Sequence, residues 1–345
     1  MGKKYQLGPI TVEPGMRKNQ LFPVGRRPDG TTWGIPLIII NGMTEGPRLF
    51  VAGAVHGDEL EGPRAIQDVA NELDPKTLAG TFIGVPVVHV ASYIASIGGD
   101  VSGMRESPID WKNLNRVAPG RPDGTVTERL AYAVCNDIFA HVDYHIDIHS
   151  GGTRGTSLQM AGFTPIKGEL GQKSLELAKC FPVETLWKTP PWGKMGVAAR
   201  EKGVLHMAVE VTGQGRCDEE DVQICITGIK NVMKYLGMIE GNLEDIPQER
   251  RCIDSETYLY AKVGGLLRPN VRTGDLMSRG ELLGIVTDVY GTVVEEFRAP
   301  FDGIVTGIRT KAVVWAGEPV FLTSTFISIE EAMKGEEAKP AVTPP

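Results

Sequence analysis

The chain has 345 residues, with 36 basic against 43 acidic side chains and a net charge of −7. That length suits two domains better than one, and 41% hydrophobic with 23% charged residues is the balance of a soluble globular protein. Net negative charge and apolar runs no longer than a strand argue against nucleic-acid and membrane partners. The start MGKKYQLGPITVEPG also lacks the apolar stretch of a secretory signal.

In chain order, residues 1–34 are rich in Gly, Pro and short polar runs and read as N-terminal strands and turns. From 35 to 247, apolar runs alternate with amphipathic stretches. Strands are predicted at IPLIIING, RLFVAGAV, TFIGVPVV, YHIDIHS, TSLQMAG and HMAVEVT, and helices at 60–73, 126–141, 168–180 and 219–238. Continuous apolar strands between helices predict an α/β core with a sheet covered on both faces. Thr125 or Thr127 is placed to cap the 126–141 helix, with Glu128 at its positive end. From 248 to 330 turn signals recur about every ten residues, which predicts a smaller all-β C-terminal domain. The tail 331–345, ending KGEEAKPAVTPP, is expected to be disordered. Five scattered cysteines, never in a CxxC pair, read as reduced thiols of a cytoplasmic protein and leave no thiolate metal site.

The strand VAGAV ends in His56, Gly57, Asp58 and Glu59, with Glu61 following. Ligands of open α/β sheets bind beyond the carboxyl ends of strands, so this turn is where chemistry is expected. An imidazole and a carboxylate three residues apart can face one centre. Such a donor pair suits zinc, which needs at least a third protein ligand. YHIDIHSGG offers His149 at a second strand end. Asp147 lies on the same side of that strand, placed to accept the other ring N–H. His89, His141, His145 and His206 read as packed or surface histidines, and Asp58 and Glu61 as solvent-facing or helix-capping groups. In RESPIDWKNLNRVAPGRP, Asn115 and Arg116 follow Arg105 in a segment where Pro excludes a helix across SPID and VAPGRP, so these side chains are expected on loop. An Arg fork beside Asn matches a carboxylate. Glu210, inside the otherwise apolar strand HMAVEV, is either functional or one half of a buried salt bridge.

These motifs, HGDE, LNR, DIHSGG and AVEVTGQG in this order, resemble the succinylglutamate desuccinylase/aspartoacylase family, a branch of the zinc carboxypeptidase-like hydrolases, over about residues 35–330. The resemblance implies a mixed sheet flanked by helices as the catalytic domain, and one zinc ion per chain held by His56, Glu59 and His149. It further implies a substrate grip by Asn115 and Arg116, Glu210 as the catalytic base, and Arg105 polarising the scissile carbonyl. The family's C-terminal-domain tyrosine has three candidates here, Tyr258, Tyr260 and Tyr290. The stretch RESPIDWKNLNRVAPGRPDGTVTERLA is similar to the N-acetyl-diaminobutyrate deacetylase branch, which implies a small N-acyl, above all N-acetyl, amino acid as substrate. Carboxypeptidase or esterase action on another carboxylate-bearing substrate is the alternative, and a homo-oligomer is left open. GDLMSRGELLGIV with APFDGIVTGI resembles a biotinyl or lipoyl carrier barrel, but the stretch at the carrier's attachment turn, TDVYGTVVEE, has no lysine. A non-enzymatic metal-binding or carrier role is the remaining alternative.

Overall fold

The computed structural model describes residues 2–97, 101–189, 194–254 and 256–334. Ten strands form a central mixed sheet, running in space from Phe326–Ile327 through Arg251–Ile253, Thr185–Lys188, Met160–Phe163, Leu205–Val211, Tyr144–Ser150, Thr44–Ala52, Ala79–Val85 and Thr32–Asn41 to Met16–Arg26. Three neighbours in the middle are parallel. Ala52 lies beside Asp147, and His149 beside Glu210. Their carboxyl ends therefore open on one edge, where the turn carrying His56 and Glu59 also emerges.

Strand alternation sorts the side chains between two cores. Leu49, Val51, Ile146, Ile148, Val209 and Val211 pack on one face, with Ala65, Ile66 and Val69 of helix Glu61–Glu72 and Val222, Ile229 and Val232 of helix Glu219–Tyr235. Phe50, Ala52, Ile83 and Val85 point to the other face, against Leu130, Val134, Ile138 and Met195. Residues 145, 147 and 149 have the opposite parity to Ile146 and Ile148. They therefore share the second face, where the His145 ring stacks on Phe50 at 4.7 Å. Each large apolar side chain sealed in these layers contributes about 1.5–3 kcal/mol, which is the rigid support the sheet edge rests on.

The predicted helix at 126–141 is a helix only over Val126–Tyr132. It opens at Thr125, whose backbone N–H donates to Glu128 Oε2 at 2.8 Å. Thr127 instead donates its hydroxyl to Asp110 Oδ1 at 2.7 Å. The chain continues as a π turn, Ala133–Ile138, and a 3-10 turn, Phe139–His141. The wider turn takes Val134, Cys135 and Ile138 to the core together. TSLQMAG is two strands, because Gly155–Ser157 leaves the sheet to pair with Gly303–Arg309 of the β region before Met160 re-enters it.

Strands between Thr257 and Ser324 form two small sheets around Leu267, Leu283, Val286, Phe297, Val305, Val320 and Phe321. The tip of the Leu282–Arg298 hairpin, where a carrier would hold its lysine, carries the 90% exposed Tyr290. Residues 331–334, expected in a disordered tail, close the short helix Ile329–Met333, whose N-cap Ser328 Oγ accepts from Glu331 N at 3.0 Å. The rest of that tail lies outside the described residues. No helix among the described residues is long and apolar enough to cross a membrane, and all five cysteines are free thiols, four of them buried.

Candidate active site

The turn after strand Thr44–Ala52 is folded tightly on its neighbours. Gly57 donates its N–H to Met104 O at 2.8 Å, and a Cβ there would sit 2.3 Å from the backbone of Ser92. Only glycine fits. His56 and Glu59 are both buried and converge with His149. Glu59 Oε1 lies 2.7 Å from His56 Nδ1, and Oε2 lies 2.8 Å from His149 Nδ1. One donor atom from each of the three lies within 4.8 Å of the others, the arrangement of a cation site. The far nitrogen of His149 faces Asp147 Oδ2 at 3.1 Å.

The protonation pattern points the same way. Burial alone would raise the Glu59 carboxyl, but the adjacent His56 and His149 hold it well below the usual range. Asp147 is likewise drawn down against burial, to about 2, chiefly by His149. Burial pulls His149 down, but Asp147 and Glu59 outweigh it and raise it well above 6.5, so its ring carries a proton between two carboxylates. Burial pulls His56 down, with the Glu59 carboxylate opposing. Its Nε2 lies 3.3 Å from Asn113 Oδ1, which can only accept, so Nε2 is placed to carry a proton there while Nδ1 faces Glu59. A neutral imidazole turned this way would direct its Nδ1 lone pair at Glu59, an arrangement suited to a shared cation. An N, O, N donor set with imidazoles fixed from behind by Asp147 and Asn113 fits zinc.

Asn113 was not among the sequence candidates. Its Oδ1 also accepts from Asn115 N at 2.9 Å, making it the N-cap of a one-turn helix, Leu114–Val117. Asn115 and Arg116, expected on loop, therefore sit on that turn; only the flanking Pro segments are non-helical. Asn115 Oδ1 accepts from Met195 N at 3.4 Å, while Arg116 is exposed and without an ion pair among the described residues. Arg105 is half-buried, its Nη1 3.9 Å from Glu59 Oε1.

Glu210 stands opposite His149 on one side and Met160 on the other. No cation lies within ion-pair distance among the described residues, so the buried salt bridge that the sequence left open is absent there. Burial pushes its carboxyl up to about 8, with His149 opposing, Glu59 and Glu256 adding and Arg105 opposing. The β region thus reaches the site. Tyr258, whose phenol is pushed up to about 12 by partial burial and then by Glu256 and Glu210, also feels Arg105 and Arg116. Tyr260 stacks on Tyr258 at 6.1 Å from outside, and Tyr290 is far out on its hairpin.

Asp58 and Glu61 are not solvent-facing. Asp58 is 3% exposed and its Oδ2 accepts from Thr153 N and Oγ1, both at 2.9 Å; Glu61 is 1% exposed, bonded by Ser150. The turn after the His149 strand folds over both, a contact about ninety residues away in sequence. His89 and His145 are buried, and the half-buried His206 meets His145 Nδ1 to Nδ1 at 2.9 Å. A cavity of about 480 Å³ lined by Gln159, Glu184, Glu220 and Arg251 contains none of the triad.

Burial holds His89, His145 and His206 at about 4, about 3 and about 4, against 6.5 for a free histidine. Their folded values are depressed, so the stability they contribute is complete above pH 6.5 and is lost as pH falls toward 4 and 3. Each contributes a slope approaching about 1.4 kcal/mol per pH unit in that window. Urea midpoints are expected to fall steadily from pH 7 to pH 5; a flat profile would mean these rings titrate in the folded protein as they do in the unfolded chain.

The site has close relatives. Residues 45–236 match the family model described as succinylglutamate desuccinylase/aspartoacylase catalytic domain. The chain is 30% identical over 305 residues to an N-alpha-acetyl-L-2,4-diaminobutyric acid deacetylase of Halomonas elongata, covering 85% of this chain and 86% of that protein. Among solved structures it is similar to the product-bound ectoine utilization protein EutE (DoeB) of Ruegeria pomeroyi, with a TM-score of 0.80, 25% identity and coverage of 90% and 94% of the two chains. It is also similar to a succinylglutamate desuccinylase/aspartoacylase of Rhodobacter sphaeroides, with a TM-score of 0.81, 27% identity and coverage of 90% and 96%. With a match across more than half its length and a triad at the expected strand ends, the chain belongs to the succinylglutamate desuccinylase/aspartoacylase family.

Proposed function

We propose that the protein is a zinc-dependent deacylase that hydrolyses the amide bond of a small Nα-acyl, above all Nα-acetyl, amino acid. The observation that carries this reading is the buried His56–Glu59–His149 triad with Glu210, free of an ion pair among the described residues, beside it. A zinc ion held by the three side chains supplies a Lewis acid and an acidified water. Asp147 and Asn113 keep the two imidazoles in the tautomers that face inward. Glu210 takes a proton from the attacking water and returns it to the leaving amine, the work of a general base and then acid. Arg105 stabilises the negative charge that develops on the acyl oxygen. Arg116, exposed on its one-turn helix and free of an ion pair among the described residues, holds the substrate carboxylate, with Asn115 bracing the turn through Met195. Of the three tyrosines, Tyr258 is the one that senses Glu210, Arg105 and Arg116, so it joins the substrate side of the cleft. The deacetylase name of the Halomonas relative supports a diamino acid amide as the first substrate to try.

The reading is tested on Arg116→Ala. A charged hydrogen bond is worth about 1.5–3 kcal/mol, so KM for a carboxylate-bearing substrate should rise about 10- to 100-fold while kcat changes less. Folding should be unaffected, since the side chain is exposed. An unchanged KM would mean that the substrate carboxylate is held elsewhere.

A further inference from the structure

The mechanism above leaves one carboxylate of the cleft without work. Glu256 precedes strand Thr257–Tyr260 of the β region, and its Oε1 accepts from Thr306 Oγ1 at 2.6 Å. Thr306 lies on the strand whose backbone meets the catalytic domain, its carbonyl accepting from Leu158 N at 2.8 Å. Two residues further on, Met160 is the direct neighbour of Glu210. Glu256 is thereby set beyond the end of the Glu210 strand, close enough for its charge to act on both Glu210 and Tyr258. No Lys, Arg or His lies within ion-pair distance of it among the described residues. Burial raises its pKa, with only the Thr306 hydroxyl opposing.

A half-buried carboxylate near a second carboxylate, with no cation in ion-pair reach among the described residues, costs stability. The cleft is also divided by charge. Arg105 and Arg116 supply cations toward Tyr258, and Glu256 supplies the anion they do not neutralise. An amino acid with an anionic carboxylate and an ammonium on its side chain would satisfy both walls at once.

Resting on the deacylase reading, we propose that Glu256, held by Thr306, is a specificity-determining residue that binds a side-chain ammonium, so that the protein selects Nα-acyl diamino acids over neutral ones. The free Oε2 of Glu256 accepts from that ammonium while Oε1 stays on Thr306. A charge-assisted hydrogen bond of this kind is worth about 10- to 100-fold in affinity.

Binding of the deacylated amino acids tests this without requiring turnover. 2,4-Diaminobutyrate and norvaline differ only by ammonium against methyl at the side-chain end. Calorimetric titration of the metal-loaded protein should show diaminobutyrate binding at least tenfold tighter than norvaline. In Glu256→Gln, whose amide oxygen still accepts from Thr306, the two should bind alike and norvaline affinity should hold. Thr306→Val, which releases Glu256 without removing its charge, should retain part of the preference. Equal binding to the wild-type protein, or a preference that survives Glu256→Gln, overturns the proposal. A wild-type preference abolished in Glu256→Gln, in a protein that cleaves no Nα-acyl amino acid, would support the cation subsite and retire the deacylase reading alone.

Discussion

Replacing Glu210 by Gln is expected to lower kcat by about 10²–10⁴-fold, the usual worth of a positioned general base. The substitution preserves size and most hydrogen bonding but removes the proton acceptor. Zinc content should stay at the wild-type level, because the proposed ligands are His56, Glu59 and His149 and not Glu210. Thermal stability should hold or rise. The carboxyl lies opposite His149 without an ion pair among the described residues, and burial already pushes it up to about 8, so exchange for a neutral amide removes a desolvation cost. Loss of zinc would make Glu210 a ligand in place of a base. Unfolding with full activity per folded molecule would make it structural. Full activity in a folded, zinc-loaded variant would leave the hydrolysis without its proton carrier.

Much of the frame was legible because it rests on local regularities. Strand parity alone placed Asp147 and His149 on one side, and the structure sets them 3.1 Å apart. The strand ends at Ala52, Ser150 and Val211 are marked by Gly-containing turns, which is why His56, Glu59, His149 and Glu210 could be picked out by position. The three long helices, Glu61–Glu72, Glu169–Lys179 and Glu219–Tyr235, likewise follow from apolar spacing.

What stayed hidden is non-local or too short for periodicity. Asn113 acts through a one-turn helix that has no repeat to detect; the trace it leaves is an Asn just before LNRV, a residue favoured at N-caps. Asp58 and Glu61 looked exposed because the cover, Ser150 at a strand end and Thr153 on the turn after it, comes from about ninety residues on. The π turn at Ala133–Ile138 keeps an apolar pattern that a regular helix would also show. Glu256 and Tyr258 lie in the β region, and nothing in their own neighbourhood marks them. Only pairing of Gly155–Ser157 with Gly303–Arg309 brings that region against the cleft.

The central claim is most directly tested by removing the metal. If the buried His56, Glu59 and His149 hold the proposed catalytic zinc, protein stripped by a chelator should release no amine from Nα-acetyl-2,4-diaminobutyrate while keeping its fold. Binding should displace the proton of the His149 ring, which burial lowers but Asp147 and Glu59 hold well above 6.5, so affinity for zinc should fall as pH drops. Titrated back with zinc, amine release should rise in proportion to bound metal and stop rising at one ion per chain, with a loss of at least about 10³-fold between loaded and stripped forms. Undiminished release by protein shown to be free of metal, or a fully loaded and folded protein that releases no amine from any Nα-acyl amino acid, would contradict it.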